Sequence, residues 1–474
     1  MKLITLILLT LGLLLAKPAM DSLAIDALSI PGSIAINTTT SSTAQSTSAT
    51  NAPTSTTAQQ PNTALNEGEI GDPTIDIIKN IDKLPNIQVM AADKSSLSQR
   101  IIEMLLTDLK VSGHFNNISF ENAGSNTLNS TYLNNLKLKD IGLLADVSVS
   151  RSFGTIKATL TLYDTSSDLE TPLLEKSYEE PTVDLFPFIS HNMANDINVQ
   201  IGADSIKWMT GYVVFSRYTG SGKSEISISD YTLTYQKVLI KDGLNIFPKW
   251  ANSSKDSFYY TKIGNKADIR LYNIYTGKDE DVLSSNGMAI VSDVSSDGKK
   301  LLLSLAPNGL SDIYLYNLDD KKLTRLTSYT GIDVNGSFIN NDKSFAFVSD
   351  RLGYPNIFIK GLSPNAPVTQ LVYHGKNNSS LSTYKNNIVY SSRESDEDTG
   401  LNVFNLYLAS TQSDYIRRLS KSGTNQMPKF SKDGDAVMYL KQTPQESGLG
   451  IIRLSINKSF IFPLKFTKIQ SFDW

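Results

Sequence analysis

Ile469-Gln470-Ser471-Phe472-Asp473-Trp474 ends the chain, and its phase within a repeat decides the fold. Trp474 is the sixth member of a series, Trp250, Val294, Phe338, Tyr384, Phe430 and Trp474, that recurs every 44 to 46 residues. A second series of strand starts, Ile226, Ile269, Ile313, Ile357, Leu406 and Ile451, recurs every 43 to 49 residues. Each is preceded by another apolar strand, at residues 212–215, 258–260, 301–303, 345–348, 388–390 and 437–440. Short strands repeated with a period of 40 to 50 residues are the signature of a propeller, one blade per repeat. Trp250, Phe338, Tyr384 and Phe430 each stand before a polar turn and the next strand of the same blade, as Phe430 stands before Lys432-Asp433-Gly434. The strand pair that begins at Tyr212 has no such residue ahead of it, and Trp474 has no strand behind it. One vacancy and one surplus strand imply that residues 469–474 complete the first blade. The expected architecture is therefore a six-bladed β-propeller over residues 206–474, closed by strand 469–474, with no sheet edge left for aggregation.

The 474 residues exceed one ordinary core, so a second domain is expected ahead of the ring. Residues 72–205 read as an α/β domain. Leu97, Ile101, Leu105 and Leu109 step by four up to the stop signal Gly113, and Ile189, Met193, Ile197 and Ile201 repeat that spacing, with Asp184 as a cap near Pro187. Strand alternation runs through Val147 and Val149, turns at Phe153-Gly154-Thr155, and resumes at Ile156, Ala158, Leu160 and Leu162. Residues 25–71 are rich in Ser and Thr and poor in large apolar side chains, which predicts a disordered tether. Residues 1–19 read as a signal peptide: Lys2 is followed by an apolar run at 3–15 too short for a comfortable membrane span. Export, with no membrane-spanning segment in the mature protein, is the expectation.

Composition and motifs narrow the chemistry. A formal net charge of −3 supplies no overall positive field for nucleic acid. The absence of cysteine excludes a lipidated amino terminus, disulfides, CxxC redox chemistry and thiolate metal sites. His114, His191 and His374 lie far apart, with no second metal ligand at i+3 or i+4, and no G-x-S-x-G elbow is present. No cofactor is expected. Gly220-Ser221-Gly222-Lys223-Ser224 is similar to the end of a phosphate loop, but Arg217 replaces the earlier glycine and a strand follows, so a hairpin tip is expected. Glu394, Asp396, Glu397 and Asp398 form an acidic loop without the glycine turn of a calcium site.

The blade motif Asn245-Ile246-Phe247-Pro248-Lys249-Trp250, its copy Asn425-Gln426-Met427-Pro428-Lys429-Phe430, and turns such as Ser296-Asp297-Gly298-Lys299 resemble the TolB family, periplasmic components of the Tol-Pal cell-envelope system. Residues 108–116 resemble that family's first helix end, and the resemblance extends over residues 72–474. It implies a periplasmic, non-enzymatic, monomeric adaptor that binds a peptidoglycan-associated outer-membrane lipoprotein and an inner-membrane, TolA-like Tol protein. The positions it implies for lipoprotein docking, at the entry to the innermost strands, are Asn245, Met288, Ala289, Val291, Asp333, Val334, Ser379 and Asn425. Met288 and Ala289 carry no histidine, and the N-x-x-P pattern is degraded in the second to fourth copies. The segment implied to bind the inner-membrane partner is Thr74, Ile75, Asp76, Ile77 and Ile78. Its alternation fits equally a first strand of the α/β domain, and some 50 residues separate it from the signal. The competing function is a periplasmic propeller hydrolase acting on carbohydrate or peptide. It would need paired carboxylates in one pocket, for which Asp293 and Asp473 are the candidates on the innermost strands.

Overall fold

A computed structural model describes residues 84–474 apart from 123–127, 168, 170, 396–399, 401, 422, 443–446 and 465–467. The expected signal, the tether, the Thr74 to Ile78 positions, and Asp396, Glu397 and Asp398 lie outside the described residues.

The first part of the chain forms a five-stranded sheet in the order β2-β1-β3-β4-β5, where β1 is Asn86–Ala91, β2 Asn117–Glu121, β3 Leu143–Ser152, β4 Thr155–Asp164 and β5 Leu174–Glu180. β1 runs parallel to both β2 and β3, while β3, β4 and β5 form an antiparallel meander. Ile156, Ala158, Leu160 and Leu162 on β4 point into a core shared with Ile101, Leu105 and Leu109 of helix α1, Ser96–Ser112. Ser95 caps α1 by accepting from the Ser98 amide, and Gly113 ends it with a left-handed φ of 73°. The same glycine gives the propeller room: a Cβ there would stand 2.0 Å from Ile456 Cδ1. A short helix, α2 at Ser130–Leu138, buries Leu133 and Leu136 on the other side of the sheet.

The third helix, α3 at Phe186–Gln200, corrects one expectation. Asp184 makes no capping bond there. It sits inside a 3-10 turn, Val183–Leu185, and the Phe186 amide reaches back to the Val183 carbonyl. The turn itself satisfies the helix end, and Pro187 in the first turn has no amide that needs a partner.

Beyond residue 212, the strands among the described residues group into six four-stranded antiparallel blades. Five are continuous in sequence, although the fifth and sixth touch through one parallel bridge, Phe404↔Thr424. The first is not continuous. Its innermost strand is Ile469–Asp473, paired with Val213–Gly220 in the register Phe472↔Phe215 and Asp473↔Val214. Ser216 and Ser471 face each other in this pair with their hydroxyls 2.7 Å apart. Ile469 and Phe472 are buried, and Trp474, just past the strand, meets Trp208 edge-on at 5.3 Å. The glycine-rich stretch 220–224 is the tip of the hairpin between Val213–Gly220 and Lys223–Ser229, with Gly222 at φ 66°.

The α/β domain rests on one end of the ring, over the first and sixth blades. Buried Arg453 donates to the carbonyls of Val111 (3.0 Å) and Ser112 (2.5 Å) at the end of α1 and pairs with Asp435 at 2.6 Å. That arrangement places a cation on the negative end of the helix. Beside it, His191 of α3 bridges Asp108 of α1 (2.8 Å) and Asp230 of the first blade (3.4 Å), and Tyr231 donates to Asp108 at 2.5 Å. The turns that carry Asp230, Asp435 and Arg453 all lie at this covered end. Connections between the second and third strands of each blade, and from each blade to the next, lie at the opposite, free end.

Candidate functional site

Every innermost strand of the ring has a register shift midway along it. The shifts fall between Ile246 and Lys249, Val291 and Asp293, Val334 and Ser337, Ser379 and Leu381, Gln426 and Lys429, and Ile469 and Ser471. Such bulges re-aim the chain, and here they turn its middle toward the axis. Phe247, Asn335, Ser380 and Met427 are left with positive φ values of 39–56°, a sparsely populated region for residues other than glycine. The freed amides are taken up across blades: Phe247 N donates to Ser471 Oγ and Asn335 N to Ser304 Oγ, both at 3.0 Å. The blade motif now has a physical account. Pro248 and Pro428 sit where the ladder is interrupted, so their missing amides cost nothing. Asn245 and Asn425 clasp the incoming loops, donating to the Asp242 and Ser224 carbonyls and to the Gly423 and Phe404 carbonyls.

Below the bulges the axis is crossed by a polar belt. Lys249 pairs with Asp473 and Asp293, each at 3.2 Å, and Lys429 stands 3.9 Å from Asp473. Asp473 accepts from the Trp250 amide, and Asp293 accepts from the Phe338 amide and the Ser337 hydroxyl. Ser337 meets Thr383 at 3.0 Å, so the belt joins side chains from all six blades. Burial alone would lower the Lys249 ammonium, but Asp473 and Asp293 hold it above its ordinary value. Burial and the charge of Lys249 push Lys429 down.

The eight positions expected at the docking face are all buried. Met288, Val291 and Val334 come together with Phe247, Met427 and Phe472 around an axial cavity of about 70 Å³. Asn245, Ala289, Asp333, Ser379 and Asn425 do not line it. Asp333 is locked by Arg351, whose Nη2 donates to both carboxylate oxygens at 2.9 Å, and burial raises its carboxyl against the pull of Ser349 and Arg351. The Ala289 carbonyl accepts from Thr261 at 2.7 Å, and Ser379 meets Ser391 at 3.1 Å. These residues shape the face from beneath. Exposed groups on it are loop side chains such as Lys223, Lys241, Lys262, Leu310, Leu352 and Tyr373. Spacing from the aromatic series marks where the strands begin, but the exposed loop residues follow no such period.

His191 and His114 belong to the buried domain junction, where His114 meets Asn198 at 2.5 Å; His374 lies against Tyr407 with ring centroids 4.3 Å apart and planes tilted by 43°. Among the described residues no helix is long and apolar enough to cross a membrane.

Residues 73–171 match the family model of the TolB amino-terminal domain, and residues 209–470 match that of the TolB beta propeller domain. The chain is 48% identical over 408 residues to the Tol-Pal system protein TolB of Helicobacter hepaticus, covering 85% of this chain and 96% of that protein. It is 41% identical over 410 residues to that of Campylobacter jejuni strain RM1221, with the same coverage of both chains. The crystal structure of TolB from Acinetobacter baumannii superposes with a TM-score of 0.68 over 82% of this chain and 96% of that chain, at 19% identity, a likeness of fold. An amino-terminal α/β domain docked on a propeller closed by its own last strand, matched by both domain models, makes this chain a member of the TolB family.

Proposed function

We propose that the chain is a periplasmic, non-enzymatic adaptor of the Tol-Pal system. Its free propeller face receives a peptidoglycan-associated outer-membrane lipoprotein, and the segment Thr74, Ile75, Asp76, Ile77 and Ile78 engages an inner-membrane, TolA-like Tol protein. By holding both as a monomer it supports outer-membrane integrity and envelope constriction at division. The observation that carries this reading is the asymmetry of the ring: one end is covered by the α/β domain, while the other is open and underlain by strained bulges that fix its loops. Strain of this kind collects at binding surfaces.

The hydrolase reading has less in its favour. Asp293 and Asp473 are both paired with Lys249 and bonded to backbone amides, so each is already engaged rather than poised as a general acid or base. A cavity of about 70 Å³ also falls well short of the roughly 300–1,000 Å³ of small-molecule sites.

The test is binding of the mature protein to the purified lipoprotein and to the periplasmic domain of the inner-membrane partner. Deleting residues 74–80 is expected to abolish capture of the second while leaving the first unchanged. Equal loss of both, or retention of both, would contradict the division of labour.

A further inference from the structure

The free face is chemically divided. Along the first, second and sixth blades its loops carry Lys223, Lys241, Lys262 and Lys266, all exposed, with Lys421 and Lys468 flanking them. Backbone contacts join the segments that carry three of these lysines. The Ser224 amide donates to the Gly243 carbonyl at 2.9 Å, joining the tip that bears Lys223 to the loop that bears Lys241, and Lys262 lies opposite Asn245 in register. Described carboxylates in the same sector are Asp242, Asp268 and Glu225, and Glu225 is already paired with Arg217. Across the axis, the third and fourth blades present Leu310, Leu352 and Tyr329 on loops without lysine, and Tyr373 continues that side into the fifth blade. The charge of Arg351 on that side is consumed by Asp333 and by the rings of Tyr329, Phe347 and Phe358 beneath it. In a chain of net charge −3, exposed lysines thus cluster on one half of one face.

Resting on the docking reading above, we infer that the lipoprotein meets this face with an acidic patch over the first, second and sixth blades and an apolar patch over the third and fourth. Lysines on the rim speed the encounter, and the apolar half holds the complex once it is formed. Rim charges act on the association rate and its salt dependence, buried apolar contacts on dissociation.

The experiment measures association and dissociation rates of the purified lipoprotein at 50 mM and 300 mM NaCl for three proteins. They are the parent, the variant K223E/K241E/K262E/K266E, and the variant L310D/L352D. All six substitutions are at exposed loop or hairpin-end positions, and unchanged melting temperatures verify folding. For the parent, the added salt is expected to slow association roughly tenfold. The fourfold variant should associate at least tenfold more slowly at 50 mM, lose most of its salt response, and keep the parental dissociation rate. L310D/L352D should instead dissociate faster. Salt-insensitive association in the parent, matched by the fourfold variant, would overturn this inference and leave the docking reading standing. Binding of the parent to anionic phospholipid vesicles, lost in the fourfold variant while lipoprotein kinetics stay unchanged, would assign the lysines to a membrane surface and also overturn it. A parent that captures no lipoprotein at either salt concentration would remove the docking reading and this inference together.

Discussion

Deleting residues 470–474 is expected to destabilise the whole ring by more than the loss of any single core side chain. The segment supplies most of the first blade's innermost strand, including Phe472, which is buried, and Asp473, which ties Lys249 and the Trp250 amide across the axis. Without it, the edge of Val213–Gly220 and one wall of the axial channel would face water. Burial of Phe472 alone is worth about 3–5 kcal/mol, as read from truncation of aromatic residues to alanine. The full deletion adds the loss of strand pairing and leaves Lys249 with one carboxylate instead of two. In thermal denaturation, the deletion should melt well below Phe472→Ala, and Phe472→Ala below the parent. Equal melting temperatures for all three would mean that the segment contributes nothing to the ring.

A second large effect is expected at the domain junction, and it depends on pH. Burial would lower the His191 imidazole, but Asp108 and Asp230 on either side hold it up to about 9. Asp230, which burial would raise, is instead held below the usual carboxylate range by His191, Thr232 and the Tyr235 amide. Burial lifts Asp108 against the pull of His191 and Tyr231, and it lifts Tyr231 well above its ordinary value; Arg453 is the remaining charge nearby. The sign follows from linkage: a base whose pKa is raised on folding stabilises fully below its unfolded value near 6.5 and loses that contribution as pH rises through about 9. A shift of this size corresponds to about 3 kcal/mol. His191→Gln should therefore be less stable than the parent at pH 6, with the gap closing toward pH 9.5. Lys255, lowered by burial to about 8, titrates in the same window with the opposite sign in both proteins. The readout is accordingly the difference between the two stability curves. A difference that stays constant from pH 6 to 9.5 would show that folding leaves the His191 pKa unshifted, and a gap that widens as pH rises through 6.5 would show that the imidazole is uncharged in the folded junction.

How much of this was legible beforehand depended on periodicity. The six blades were visible because the buried residues of their second and third strands recur, as Ile226, Ile269 and Ile313 do. Helices α1 and α3 showed through their four-residue spacing, and the β3–β4 hairpin through its alternation. β1 did not, because five of its six residues are buried, so it never alternates. α2 buries only Leu133 and Leu136 and gives too short a pattern. Outer strands such as Leu323–Arg325 and Ile416–Arg418 have three residues and mostly polar side chains.

The site was less legible for a different reason. Asn245, Asp333 and Asn425 look like surface ligands in a loop motif, yet they are spent on internal bonds to Ser224, Arg351 and Phe404. Lys249 and Lys429 stand 180 residues apart in sequence, and only closure of the ring brings both to Asp473. Asp293 and Asp473 stand out in the sequence as carboxylates on innermost strands, but nothing local names their partners.

Closure itself can be measured directly, because the chain contains no cysteine. Ser216 and Ser471 are directly paired, with hydroxyls 2.7 Å apart, so the double variant Ser216→Cys/Ser471→Cys puts two thiols within reach of a disulfide. Mild oxidation of the folded double variant should convert it to the intramolecularly linked form, detected by mass and by faster gel migration without reductant. Free thiols after oxidation, in a double variant that retains the parental circular dichroism, would contradict the closed ring.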